Sequence, residues 1–201
     1  ILPLAIANSN WEKNENFIDI IKSVRNEYLS KISKLSEKKF VTDKLPGNFR
    51  WIGFILNALP DAKILHLERN PMATCWSIYK SEFNNPDMAF TYKQEYIAEF
   101  YLLYKDLMIF WKNKYPNQFI NIVYEEFVED YENNIKKIFQ KLELNWENHL
   151  LEFYKNKRPV ETSSFQQVRK KIYKNSSDEW KKYKTFLNPM MEILSKNNIK
   201  F

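Results

Sequence analysis

Arg69 and Ser77 lie eight residues apart, on either side of a point where an apolar run changes to a helical pattern. A guanidinium group forms paired, charge-assisted hydrogen bonds with phosphate oxygens, and a serine hydroxyl can donate one more. Asn70 is a good N-cap residue and Pro71 suits the first helical position, so a helix is predicted to begin here with its partial positive charge available to an anion. Together these residues predict half of a phosphate-binding site.

An α/β fold is predicted around this junction. Apolar runs at 63–67 and 119–124 indicate buried strands, and a shorter strand is predicted at 39–42. Amphipathic spacing predicts helices at 14–35, 50–59, from residue 70 onward, and at 90–115, 131–142 and 146–154. Because strands alternate with helices, the sheet is predicted to be parallel, with its ligand-binding edge at the carboxyl ends of the strands. All 201 residues are expected to form one domain.

The composition narrows the class of protein. With 44% hydrophobic and 16% aromatic residues, the chain can bury a substantial core, and its net charge of +6 weakly favours an anionic ligand. A single cysteine, Cys75, excludes an internal disulfide, and no cluster of metal-ligating residues is present in the sequence. No apolar run is long enough to span a membrane. These features predict a soluble, cytoplasmic protein without a metal.

Three separated blocks of the sequence stand in the order and spacing of one protein family. The blocks contain Thr42-Asp43-Lys44-Leu45-Pro46-Gly47-Asn48 followed by Arg69-Asn70-Pro71 and Ser77; Val123-Tyr124-Glu125-Glu126-Phe127; and Val160-Glu161-Thr162-Ser163-Ser164, Gln167-Val168-Arg169, Ile172-Tyr173, Ser176 and Trp180. The chain resembles the P-loop-like sulfotransferases that use 3′-phosphoadenosine 5′-phosphosulfate (PAPS). Within them it is similar to the bacterial type associated with tetratricopeptide repeats and related to tyrosylprotein sulfotransferases. Lys171, Asn175 and Asp178 depart from the family pattern.

The resemblance implies a P-loop NTPase-like parallel sheet flanked by helices. It also implies PAPS as the co-substrate, adenosine 3′,5′-bisphosphate as the product, and no metal. The family's Gly-rich phosphosulfate loop is missing from these residues, which include only Gly47 and Gly53 as glycines. An N-terminal truncation is therefore expected, with that loop and the catalytic base preceding Ile1.

The resemblance also assigns roles to individual residues. Lys44 is expected to act in catalysis by stabilising charge on the departing group. The residues expected to bind the co-substrate are Arg69, Ser77, Tyr124, Arg169, Tyr173 and Ser176. Arg69 and Ser77 would hold the 3′-phosphate. Each assignment has an ordinary structural alternative, such as a surface ion pair for Arg69, a solvated loop lysine for Lys44 or a core position for Tyr124.

Three functions follow from these observations. The leading hypothesis is transfer of a sulfonate group from PAPS to a hydroxyl or amine acceptor, which would be a small molecule, a glycan or a protein tyrosine. Tetratricopeptide repeats are expected elsewhere in the full protein. The alternatives are a non-catalytic binding module on the same fold and a P-loop kinase for a small molecule. The basic cluster at 169–174 would also suit nucleic acid, but the family match assigns Arg169 to the nucleotide, and no nucleic-acid partner is predicted.

Overall fold

The computed structural model describes residues 2–9, 16–156 and 169–201. These residues form a mixed α/β structure that is mostly helical. The strands and α-helices are α1 (Leu2–Asn8), α2 (Phe17–Leu35), α3 (Ile52–Ala58), β1 (Ile64–Glu68), α4 (Pro71–Tyr79), α5 (Gln94–Lys114), β2 (Phe119–Val123), α6 (Tyr124–Glu129), α7 (Tyr131–Lys141) and α8 (Asn188–Lys196). Short 3₁₀ helices cover Pro46–Trp51, Pro86–Tyr92, Asn148–Lys155 and Glu179–Phe186.

Strands β1 and β2 form a two-stranded parallel sheet, as the alternation of strands and helices predicted. The Ile64 amide donates to the Gln118 carbonyl (2.7 Å) at its start. Further along, His66 Nδ1 lies 2.7 Å from Asn121 Oδ1. Both strands therefore run the same way and end side by side, which brings the residues that follow them to one edge.

The predicted strand at 39–42 is wrong, because that segment has no regular secondary structure. An isolated strand gains no ladder hydrogen bonds. Phe40 and Val41 are exposed, so the apolar residues here do not mark a buried strand.

The expectation that β1 is a buried strand is wrong for one of its faces. Leu65 and Leu67 expose 46% and 54% of their surface. Residues that alternate along a strand face opposite sides of the sheet, and Leu65 and Leu67 share one side. An apolar run marks a strand buried on both faces only when layers cover both, and among the described residues the face of β1 that carries Leu65 and Leu67 is exposed.

The chain divides into two compact units. The first consists of residues 1–64 and 104–119. One cluster in this unit joins Val24 of α2 to Ala58 of α3, and a second joins Ile52 and Leu56 of α3 to Met108 of α5. Trp111 packs on the second cluster and donates its Nε1 hydrogen to the Phe49 carbonyl (2.9 Å).

The second unit consists of residues 65–103 and 120–201. Helix α4 packs against the 3₁₀ helix Glu179–Phe186, where the rings of Trp76 and Tyr183 are stacked with centroids 4.5 Å apart. The buried residues of this unit include Met72, Cys75, Ile97, Trp180 and Met190. The predicted site residues Arg69, Ser77 and Tyr124 all belong to this unit.

Several predicted helices differ in type or length. The segment predicted as a helix at 50–59 becomes a 3₁₀ turn followed by α3, and the segment at 146–154 forms the 3₁₀ helix Asn148–Lys155. The long helix predicted from residue 90 begins at Gln94, because Pro86–Tyr92 forms a separate 3₁₀ helix before it. The helix at 70 begins as predicted, with Asn70 as N-cap and Pro71 in the first turn.

Candidate functional site

The end of β1 places Arg69 next to the beginning of α4. The Asn70 side chain accepts a hydrogen bond from the Ala73 amide (2.9 Å), and the Asn70 carbonyl accepts one from the Thr74 amide (2.9 Å). Pro71 has no amide hydrogen. Most donors at this helix end are therefore already engaged by the chain itself, and the capacity to bind an anion rests mainly on the Arg69 side chain.

The end of β2 places Tyr124 and Glu125 at the same edge of the sheet. Both residues lie in the first turn of the short helix α6 and are half-buried. One carboxylate oxygen of Glu125 accepts a hydrogen bond from the Asn70 amide (3.1 Å). This bond connects the end of β2 directly to the end of β1.

A loop at 175–178 supplies the third part of the site. Asn175 has a positive φ of 70°, a conformation that asparagine tolerates better than most residues, and the turn closes with a hydrogen bond from the Asp178 amide to the Asn175 carbonyl (3.1 Å). This turn presents Ser176 and Ser177 to Arg69. Arg69 Nη2 donates to the Ser176 carbonyl (2.6 Å), and Arg69 Nε donates to Ser177 Oγ (3.1 Å).

Tyr124 completes the surroundings of Arg69. The Arg69 guanidinium carbon lies 5.1 Å from the centroid of the Tyr124 ring, within the range of a cation–π interaction. The Tyr124 hydroxyl forms a hydrogen bond with Ser176 Oγ (3.0 Å). Three of the predicted residues, Arg69, Tyr124 and Ser176, therefore lie in direct contact.

Three more predicted residues lie in the same unit. Ser77 is half-buried on α4, one turn before Ser81, whose hydroxyl donates to the Ser77 carbonyl (2.7 Å). Tyr173 is exposed and lines a cleft of about 310 Å³ together with Ser176 and Lys182. Arg169 is exposed on the segment that leads to this cleft.

The cleft has mixed charge. Glu179 lines it and forms an ion pair with Lys80. The hydrogen bond from Lys80 holds the pKa of Glu179 below its usual value, and the positive charges of Lys80, Lys182 and Arg69 lower that pKa further. The residues that line the cleft include two lysines, Lys174 and Lys182, and two carboxylates, Asp178 and Glu179.

Lys44 belongs to the first unit and is exposed. Its neighbour Asp43 accepts a hydrogen bond from Tyr28. Burial, followed by the Asp43 charge and this hydrogen bond, raises the pKa of Tyr28 to about 12. Lys44 therefore directly follows a residue, Asp43, that is hydrogen-bonded to Tyr28 of α2.

Two residues of the site were not assigned a role from the sequence. Ser177 is buried, donates a hydrogen bond to Glu125 and accepts one from Arg69. Glu125 was part of a matched block but carried no predicted function. The sequence carried little sign of a role for Ser177, since nothing in it distinguishes this residue from Ser176.

Part of the third matched block is not described by the structure. The segments Val160-Glu161-Thr162-Ser163-Ser164 and Gln167-Val168 lie outside the described residues.

Other polar groups serve the fold. Cys75 is fully buried, and this burial raises its pKa to about 12. Trp180 is buried and its ring packs edge-on against Phe201.

Within 2–9, 16–156 and 169–201, no group of three or more His, Cys, Asp or Glu residues is arranged to hold a metal ion. Every helix in those ranges is too short or too polar to cross a lipid bilayer.

Comparison with known proteins identifies the family of this chain. The model of the sulfotransferase family matches residues 7–148, a range that includes Lys44, Arg69, Ser77 and Tyr124. An uncharacterized protein of Aquifex aeolicus (strain VF5) is 37% identical over 178 residues. That match covers 87% of this chain and 23% of the relative, so the chain spans less than a quarter of that protein's length. On the family match, this chain belongs to the sulfotransferase family.

Proposed function

We propose that this chain binds PAPS and transfers its sulfonate group to a hydroxyl or amine acceptor. One observation carries the proposal: in a member of the sulfotransferase family, Arg69 is held by Tyr124 and Ser176 where two parallel strands end. Ligands bind at this edge of an open α/β sheet. A fixed arginine with neighbouring hydroxyl groups is a suitable receptor for a phosphate.

The residues present fit the 3′-phosphate of such a donor. Arg69 donates from Nε to the Ser177 hydroxyl oxygen and from Nη2 to the Ser176 carbonyl. Its Nη1 has no hydrogen-bond partner among the described residues. That amino group is available to a phosphate oxygen, and its charge is not neutralised by a direct ion pair within the described part of the chain. Ser77 would add a hydroxyl donor from α4.

The chemistry assigns one further role. In the transfer, the acceptor oxygen forms a bond to sulfur while the bond from sulfur to the phosphate oxygen of the donor breaks. The acceptor proton passes to a general base, and adenosine 3′,5′-bisphosphate leaves with the bonding electron pair. Lys44 would stabilise the negative charge that grows on that leaving oxygen. A compact ammonium on a flexible stem suits this task.

Titration calorimetry of the full-length protein tests the donor assignment. We expect adenosine 3′,5′-bisphosphate to bind more tightly than 5′-AMP, and Arg69→Ala to remove most of that preference. A charge-assisted hydrogen bond contributes about 1.5–3 kcal/mol, so the loss should be roughly 10-fold to 150-fold. Arg50→Ala is the matched control, because Arg50 is an exposed arginine of the other unit.

A transfer assay tests the reaction itself. PAPS with a labelled sulfonate would be incubated with a phenol, a sugar and a tyrosine-containing peptide, and label on any of them would identify the acceptor class. Lys44→Ala should lower kcat while leaving the binding of adenosine 3′,5′-bisphosphate nearly unchanged. Equal affinity for the bisphosphate and 5′-AMP, together with no transfer, would contradict the proposal and favour a non-catalytic binding module.

A further inference from the structure

Glu125 occupies a central position in the hydrogen-bond network at the strand ends. One of its carboxylate oxygens, Oε1, accepts from the Asn70 amide (3.1 Å) and from the Ser177 hydroxyl. These partners lie on two different segments, the beginning of α4 and the loop at 175–178. Glu125 thus connects the end of β2, the beginning of α4 and that loop, and neither of these two bonds uses a donor of the Arg69 guanidinium group.

The Ser177 hydroxyl transmits this arrangement to Arg69. A hydroxyl has one hydrogen to donate and lone pairs that accept. Because that hydrogen points to Glu125, the Ser177 oxygen is free to accept from Arg69 Nε (3.1 Å). Ser177 is only 9% exposed, so water cannot easily replace Glu125 as its acceptor. The carboxylate therefore sets the direction of the hydroxyl, and the hydroxyl sets the position of the guanidinium group.

We infer that Glu125 is a positioning residue that fixes Arg69 for recognition of the ligand's 3′-phosphate and so determines selectivity for a 3′-phosphorylated nucleotide. This inference rests on the proposed function. Glu125 acts through Ser177 and Arg69 and does not itself touch the nucleotide. Its loss should lower affinity for the phosphate that Arg69 binds, and should leave the rest of the nucleotide-binding energy nearly unchanged.

The sign of the effect distinguishes this role from a simple charge effect. A carboxylate near a bound phosphate repels it, so removing the carboxylate should tighten binding if only Coulomb forces mattered. Removing a group that holds the arginine in place should weaken binding instead, since the guanidinium group would then have to be ordered when the ligand binds. Opposite results are therefore expected from the two roles.

The experiment measures the affinities of the full-length protein for adenosine 3′,5′-bisphosphate and 5′-AMP by calorimetry, and their ratio is the readout. Glu125→Ala should reduce the ratio by about fivefold or more, the equivalent of one hydrogen bond. Glu125→Gln should recover most of it, because the amide oxygen still accepts hydrogen bonds. Glu126→Ala is the matched control, because the neighbouring Glu126 is exposed and its substitution removes the same charge.

Ser177→Ala provides a second variant if Glu125→Ala does not fold. It keeps the carboxylate but removes the hydroxyl between Glu125 and Arg69, and it should reduce the ratio by a similar factor. In an Arg69→Ala background, neither substitution should reduce the ratio further. Additive effects in that background would overturn the inference, because they would show that Glu125 acts independently of Arg69.

The outcomes separate this inference from the proposed function. If the wild-type protein prefers the bisphosphate, Arg69→Ala removes the preference and Glu125→Ala keeps it, the inference fails and the proposed function stands. If Glu125→Ala raises the ratio, the carboxylate acts only as a repelling charge, and the inference also fails. If the wild-type protein shows no preference, the donor assignment is wrong and the inference fails with it.

Discussion

Replacing Gly53 with alanine should destabilise the first unit through a collision with one side chain. A Cβ at Gly53 would lie 2.8 Å from Trp111 Cη2 and 3.2 Å from Trp111 Cζ3. The first distance is shorter than any ordinary carbon contact. The indole cannot simply move away, because its Nε1 donates a hydrogen bond to the Phe49 carbonyl (2.9 Å) and its ring packs on the cluster of Ile52, Leu56 and Met108.

The size of the effect follows from three contributions. Overpacking a core typically costs about 1–3 kcal/mol. Displacing the indole would also weaken its hydrogen bond, which contributes about 1 kcal/mol. Alanine is better than glycine inside a helix by about 1 kcal/mol, and Gly53 lies within α3. The net loss in the free energy of unfolding is about 2 kcal/mol, which for a chain of this size lowers Tm by about 4–8 °C.

Urea unfolding followed by circular dichroism measures this loss, and a second background identifies its cause. Trp111→Phe removes the atoms that the new Cβ would meet. In that background, Gly53→Ala should be neutral or slightly stabilising, because only the gain in helix propensity remains. Gly47→Ala is the control, since its Cβ would meet only the end of the flexible Arg50 side chain at 3.2 Å. Equal destabilisation by Gly53→Ala in both backgrounds would refute the collision with Trp111.

Three other properties can be checked directly. The pKa of Tyr28 is raised to about 12 in the folded chain, so the neutral phenol stabilises the fold fully below about pH 10 and loses this effect as the pH rises towards 12. The urea midpoint of the wild-type chain should therefore fall over that pH range, and Tyr28→Phe should make the fall smaller. Cys75 is buried with a raised pKa, so a thiol reagent at about pH 8 should modify it in urea but not in the folded protein. Lys80→Ala should lower the free energy of unfolding by less than about 1 kcal/mol, because the ion pair of Lys80 with Glu179 is exposed. About 1 M salt should screen this ion pair, so an equal loss with and without salt would argue against a role for charge.

Local signals in the sequence predicted the junction at Arg69 well. Asn70 and Pro71 act within one helical turn, so their effect depends little on distant residues. The strands at 64–68 and 119–123 were also found within one or two residues, and their parallel pairing followed from the helices between them. The capping pattern and the apolar periodicity were sufficient for these elements.

Properties that depend on tertiary neighbours were harder to predict. Phe40 and Leu67 have the residue types of buried strands, yet both are exposed, because burial depends on which layers cover a segment. The helix terminus was expected to bind an anion, but the Asn70 amide and those that follow it are largely engaged by Asn70 and Glu125. The role of Ser177 could not be predicted, since its partners are distant in the sequence.

The network around Arg69 joins residues that are far apart along the chain. Asn70 and Glu125 are separated by 55 residues, and Arg69 and Ser176 by 107. Loop-closure entropy grows only with the logarithm of loop length, and each doubling costs about 0.6 kcal/mol. Closing the loop between Arg69 and Ser176 therefore costs only about 0.6 kcal/mol more than closing the loop between Asn70 and Glu125. This difference is smaller than the contribution of a typical charged hydrogen bond. Insertions between residues 125 and 176 should consequently be inexpensive for the folded chain, so relatives can differ in the length of this segment and still retain the contact between the arginine and the serine loop.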